Sequence, residues 1–205
     1  MNQADAVILD VDGVILSFEE GFIQIYKKFF GKDIKKVSDS YDCSLKFGIK
    51  KEEELRVWHN LLQEDGFRDL PLLPGADKAF NLLKDMGKKI HIVTGIADQC
   101  LKYRIENLHA LGLEFDTIDN VPSGTASKLS KIQKYNAGYY FDDRLQHLNE
   151  NKHIKNLFWI DCGDEQFGET QGFVTYKSTS LLDCVNNSGI FFELPEPTIT
   201  RKRKF

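Results

Sequence analysis

Two short acidic stretches of this chain close apolar runs, and chemistry could begin at those points. Asp10-Val11-Asp12-Gly13-Val14 follows Ala6-Val7-Ile8-Leu9, and Asp142-Asp143 follows Tyr139-Tyr140-Phe141. A continuous β-branched or aromatic run of that length reads as a strand buried on both faces of a parallel sheet. In open α/β sheets, ligands bind beyond the carboxyl ends of the strands. If the two strands are neighbours, four carboxylates converge on one rim, and gathering them there costs several kcal/mol each unless a cation neutralises them. Oxygen ligands without His or Cys suit a hard divalent ion such as Mg²⁺. Taken singly, an Asp-x-Asp is a common turn or capping pair; the two acidic strand ends together point to a metal. A calcium EF-hand loop also begins Asp-x-Asp, but it needs glycine at its sixth position and glutamate at its twelfth. Here glycines, Gly13 and Gly21, stand at the fourth and twelfth positions, which excludes that loop.

The elements that must carry these residues can be read from periodicity. After Phe18, the residues Phe22, Ile25, Tyr26 and Phe29 recur at helical spacing up to a stop at Gly31. Leu55, Trp58, Leu61 and Leu62 repeat the helical period over 52–62, so 18–63 reads as a helical insert. Pro71 and Pro74-Gly75 mark the return, followed by a helix over 76–86 with Ala79, Leu82 and Leu83 inward and Gly87 as its stop. Ile90-His91-Ile92-Val93 is a strand running into Thr94-Gly95, and a helix bearing Cys100, Leu101, Ile105 and Leu108 ends at Gly112. A short strand over 115–118, a Ser123-Gly124 loop, a Lys-rich helix over 127–135, a strand over 138–141, a helix over 145–149 and a strand over 156–160 complete a βαβ series.

The chain of 205 residues has a formal charge of −4, which argues against nucleic acid or an anionic membrane surface as a partner, because binding a polyanion needs a basic face. No apolar stretch approaches the roughly 18 residues of a membrane span. The start Met1-Asn2-Gln3-Ala4-Asp5 lacks the basic and long apolar regions of a secretory signal, so a cytoplasmic setting is expected. Cys43, Cys100, Cys162 and Cys184 are widely spaced and read as free thiols. The five histidines form no ligand spacing, and His91, inside an apolar strand, reads as a core histidine. The run Arg201-Lys202-Arg203-Lys204 reads as a solvated basic tail over 191–205.

With these residues in place, the chain resembles the haloacid-dehalogenase-like hydrolase superfamily, in its phosphatase branch with a helical cap of the C1 type. Asp10-Val11-Asp12-Gly13-Val14 is similar to the first motif, Ile92-Val93-Thr94-Gly95 to the second, Lys128 at a helix start to the third, and Phe141-Asp142-Asp143 to the fourth. The resemblance spans about residues 5–165, and Pro74-Gly75-Ala76 also matches many members. It implies an α/β fold: a Rossmann-like three-layer core over 1–15 and 73–190 with a parallel sheet of order 5-4-1-2-3, and a small inserted α-helical cap over 16–72. It implies Asp10 as the nucleophile that takes the phosphoryl group and Asp12 as the general acid/base. It further implies Mg²⁺ held by the Asp10 carboxylate, the Asp12 backbone carbonyl and Asp143, with Asp142 acting directly or through a water. Thr94, the Gly95 amide and Lys128 would bind the phosphoryl group.

Other readings stay open at these positions. A threonine at a strand end is also an ordinary local cap, and Lys128, Lys131 and Lys134 at three-residue spacing also read as a solvated face, with Lys131 as the alternative to Lys128. Dehalogenases of the superfamily lack the second acid, so Asp12 favours phosphoryl transfer. The expected activity is hydrolysis of a small phosphorylated metabolite. Alternatives are a phosphosugar mutase or other phosphotransferase, a nucleotidase, for which Asp142-Asp143-Arg144 is suggestive although Arg144 equally reads as a helix cap, and a non-enzymatic binding protein using the insert's aromatic residues or the basic tail.

Overall fold

The computed structural model describes residues 5–124, 126–166 and 172–189. The expected basic tail over 191–205 lies outside the described residues. Strand β1 (Ala6–Leu9) is buried along its whole length, as an apolar run without alternation requires. Helices α1 (Phe18–Phe30), α2 (Cys43–Phe47) and α3 (Lys51–Gln63) follow, and the chain then alternates through α4 (Ala76–Asp85), β2 (Lys89–Gly95), α5 (Leu101–Ala110), β3 (Thr117–Val121), α6 (Leu129–Ile132), β4 (Tyr139–Asp142), α7 (Leu145–Glu150), β5 (Asn156–Ile160), β6 (Tyr176–Ser178) and α8 (Leu181–Asn187).

The described strands form one parallel sheet in the order β3-β2-β1-β4-β5-β6. The expected 5-4-1-2-3 arrangement is contained in it, with β6 added beside β5. That strand is short and half-exposed at the sheet edge, so its Tyr-Lys-Ser sequence carries no apolar run by which it could be recognised. Alternate residues feed two cores. Val7, Leu9, Ile90, Ile92, Phe141 and Phe158 pack under α4, α5, α8 and the helices of the 18–63 segment. Ile8, Val93, Tyr140, Leu157 and Trp159 pack with Ile132 of α6 and Leu145 and Leu148 of α7. This makes three layers. Among the described residues no helix is long and apolar enough to cross a membrane.

Within the 18–63 segment, Ser17 caps α1 by accepting from the Glu20 amide, and Gly31 ends it in the left-handed region at φ 64°. Phe22 and Tyr26, one turn apart, are buried, and Phe22 stacks on Phe47 of α2 at 5.2 Å. Helix α3 buries Val57 and Leu61, whereas Leu55 is 58% exposed, so its inward face is rotated from the one the leucine spacing predicts. The chain enters and leaves this segment through adjacent backbone: Ser17 N donates to Pro71 O at 2.8 Å and Leu73 N to Ile15 O at 2.9 Å.

The third strand begins at Thr117, two residues beyond the expected 115. Phe115 packs against the core from the preceding loop, and Asp116 ties the strand's entry to Ile90 in both directions, at 2.8 Å each. His91 is a nearly buried core residue as expected; its Nδ1 lies 2.9 Å from Thr117 Oγ1 and its ring stacks on Tyr135. All four cysteines are free.

Candidate active site

Sheet register assembles the site. Leu9 lies abreast of Ile92 on one side and Phe141 on the other, so Asp10, Thr94 and Asp142-Asp143 emerge at the same rim. The ladder continues one step past β1, with Asp10 N donating to Phe141 O at 3.0 Å. Carboxylate oxygens of Asp10, Asp142 and Asp143 all lie within 4.8 Å of one another. Gly13 makes this approach possible. It sits at φ 77°, and a Cβ there would stand 2.6 Å from Asp143 Oδ2.

Lys128, immediately before α6, is 1% exposed and places Nζ 2.8 Å from Asp10 Oδ2 and 2.9 Å from Asp142 Oδ2. Lys131, the alternative from the spacing, instead lies on the partly exposed side of α6, 4.0 Å from Asp119. Both oxygens of Asp142 have protein partners: besides Lys128, its Oδ2 accepts from the Tyr140 hydroxyl, and its Oδ1 accepts from Arg144 N at 2.8 Å. By contrast, Asp10 Oδ1 and Thr94 Oγ1 are buried with no hydrogen-bond partner among the described residues. Buried polar atoms left unmatched in this way cost free energy unless a ligand completes them.

The electrostatics follow from this arrangement. Burial pushes the Asp10 carboxyl up to about 7, against the Lys128 ammonium that lowers it. Burial also raises Asp143 well above the usual carboxylate range, reinforced by Asp142 and Asp10 beside it. Asp142 is held below its ordinary value, because Lys128, His147 and the Tyr140 hydroxyl outweigh its burial. Lys128 is likewise buried, but the two carboxylates outweigh that effect and hold its charge. The site thus holds one buried ammonium and a cluster of crowded carboxylates. An all-oxygen donor set with an unpartnered buried oxygen fits a hard divalent cation.

The Asp12 side chain does not join this cluster. It turns to Arg104 of α5, whose Nη2 donates to both carboxylate oxygens at 2.8 Å. Nothing in the sequence marks Arg104, because a single arginine in an amphipathic helix carries no signal of burial. Arg144 does occupy the position preceding α7, but its side chain makes no capping bond; it donates to Gly124 O at 2.7 Å and lies over the Tyr41 ring at 4.5 Å. His147 Nε2 donates to the same carbonyl at 2.9 Å, which anchors the loop after β3. That loop closes on Gly95, where a Cβ would stand 2.5 Å from Gly124 Cα.

A cavity of about 830 Å³ opens above the carboxylates. Asp10, Asp12, Gly95, Lys128 and Asp143 line its polar end, and Phe18, Tyr41, Trp58, Leu62 and Phe67 contribute an aromatic and apolar wall. Thr94 is fully buried and is not among the lining residues.

Comparison with known proteins agrees with this geometry. The model of the family described as 5' nucleotidase, deoxy (pyrimidine), cytosolic type C protein matches residues 4–160. A protein of Oceanobacillus iheyensis provisionally named nucleotidase OB0422 is 24% identical over 146 residues, which are 66% of this chain and 74% of the relative. A Clostridium difficile structure provisionally described as a phosphatase superposes with a TM-score of 0.61 at 16% identity, covering 88% of this chain and 98% of that one. CbbY from Rhodobacter sphaeroides in complex with phosphate gives a TM-score of 0.55 at 13% identity, covering 88% and 96%. With a parallel sheet whose rim gathers these acidic motifs and a family match over most of its length, the chain belongs to the cytosolic type C 5' nucleotidase family of haloacid-dehalogenase-like hydrolases and is a phosphatase-type enzyme.

Proposed function

We propose that the protein is a Mg²⁺-dependent phosphomonoester hydrolase acting on a small phosphorylated metabolite through an aspartyl-phosphate intermediate. One observation carries this reading: Asp10 has one oxygen paired with the buried Lys128 and the other unpartnered at the floor of a cavity, beside Asp143. A carboxylate oxygen of Asp10 attacks phosphorus, the bond to the ester oxygen breaks, and Asp12 gives that oxygen its proton. Asp12 then takes a proton from water, which attacks phosphorus; the Asp10–phosphorus bond breaks, releasing phosphate and the free carboxylate. Lys128, the Thr94 hydroxyl and the Gly95 amide bind the phosphoryl oxygens. Asp10, Asp143 and the Asp12 backbone carbonyl, with Asp142 directly or through a water, would hold Mg²⁺, which would supply the positive charge that lets two anions meet.

Residues 16–72 serve as a cap over the cavity. Their entry and exit through hydrogen-bonded backbone, and the Phe18, Tyr41 and Trp58 side chains they place in its wall, support that role. The aromatic wall also favours a second, narrower reading in which the phosphate ester is a nucleoside monophosphate whose base packs against those rings; the family match points the same way. Four free cysteines accord with a cytoplasmic setting. A panel of sugar, organic-acid and nucleoside monophosphates with Mg²⁺ present or omitted tests both readings. Phosphate release only with metal supports the first, and selectivity for nucleotides supports the second. Isomer formation without phosphate release would instead make the protein a mutase.

A further inference from the structure

We infer that Arg104 is a positioning residue for Asp12, holding its carboxylate on the cavity wall for proton transfer. The inference rests on the acid–base role proposed for Asp12. Arg104 is 0% exposed, yet only one of its three nitrogens is used: Nη2 binds both Asp12 oxygens, while Nε and Nη1 have no hydrogen-bond partner among the described residues. Burying a guanidinium so incompletely is costly, and an apolar side chain would fill the same space more cheaply. A single nitrogen bridging both oxygens restrains rotation of the carboxylate, whose side chain is 28% exposed at the cavity. Arg104 is itself braced. Its guanidinium carbon lies 5.0 Å from the ring centre of Phe67, in the short helical turn Gly66–Arg68 by which the chain returns from the 18–63 helices. Phe67 also lines the cavity, so the helical segment reaches Asp12 through Arg104.

The role predicts a dependence on the leaving group. p-Nitrophenolate departs without a proton, whereas a benzyl alkoxide needs one, and kcat/KM reports the first phosphoryl transfer. The full chain with Mg²⁺ is assayed on p-nitrophenyl and benzyl phosphate as wild type, Arg104→Met, Arg104→Lys, Asp12→Asn and the Asp12→Asn/Arg104→Met double variant. Arg104→Met should lower kcat/KM on benzyl phosphate about tenfold more than on p-nitrophenyl phosphate, and Arg104→Lys should recover part of that difference. In the Asp12→Asn background the further change should leave the ratio of the two substrates where it was. Equal losses on both substrates, or additive effects in the double variant, overturn the inference by reducing Arg104 to a structural tether. If Arg104→Met does not fold, an unchanged substrate ratio in Arg104→Lys overturns it and a shifted one supports it. If Asp12→Asn itself leaves the ratio unchanged, the acid–base reading fails first and takes the inference with it; a shifted ratio in Asp12→Asn but not in Arg104→Met sinks the inference alone.

Discussion

The sheet rim and the helical segment between β1 and α4 are held by different physics. At the rim, backbone register sets the spacing, and one buried ammonium serves two buried carboxylates. The helical segment is tied to the loop after β5 by two lysine side chains and a backbone bond, at a border where Lys46 is buried but Lys36 and Glu19 are partly exposed. Lys46 Nζ lies 2.8 Å from Glu19 and 2.6 Å from Asp164, Lys36 Nζ donates to Gly163 O at 2.8 Å, and Glu165 N donates to Asp39 O at 2.8 Å. Moving the rim would unpair charges that are almost wholly buried, whereas parting the helical segment from the loop exposes its ion pairs to water that can take over their contacts.

The largest effect is expected at Asp10. Asp10→Asn keeps the shape of the side chain, and phosphomonoester turnover should fall at least about 10³-fold while far-UV circular dichroism is unchanged; retained turnover would remove the nucleophile from the scheme. Lys128→Met comes next. It leaves two buried carboxylates facing each other, and urea denaturation should show a loss of about 3–5 kcal/mol, with activity lost as well. A small loss would mean the rim is no drier than the border.

Proton and metal should compete at the rim. Without metal, burial holds Asp10 near 7, above the ordinary carboxylate value of about 4. Between those values the folded protein keeps a proton that the unfolded chain has released, so metal-free stability falls as pH rises through that window. Mg²⁺ bound there as proposed would displace that proton, so its thermal stabilisation should be larger at about pH 8 than at about pH 5; differential scanning fluorimetry with and without the ion checks the sign. The smallest effect belongs to the border. Asp164→Asn leaves Lys46 its Glu19 partner and should cost about 2 kcal/mol, raising KM more than it lowers kcat in steady-state assays. A collapse of kcat instead would mean the border acts on the chemistry itself.

Legibility followed the same division. The rim could be read because a buried parallel strand needs an uninterrupted apolar run, so its end, and the polar residues beyond it, stand out in Ala6–Asp10 and Tyr139–Asp143. The helical segment was harder to read. Helix α3 offers two apolar faces, and packing chose the one with Val57 and Leu61 over the one with Leu55. Strand β6 was hidden for the opposite reason, since an edge strand with one neighbour needs no apolar signature.

From the order of residues alone came the alternating α/β architecture, the acidic strand ends and their suitability for a hard cation, because periodicity and ligand chemistry are local properties. Folding decided which lysine meets Asp10: Lys128 and Lys131 differ by one helical turn, and only the three-dimensional placement of α6 against β1 and β4 sends the first inward. Folding also turned Asp12 away from the other carboxylates and onto Arg104, a partner 92 residues distant in the chain. A pairing over that separation is set by how α5 packs against the end of β1, which no local pattern records.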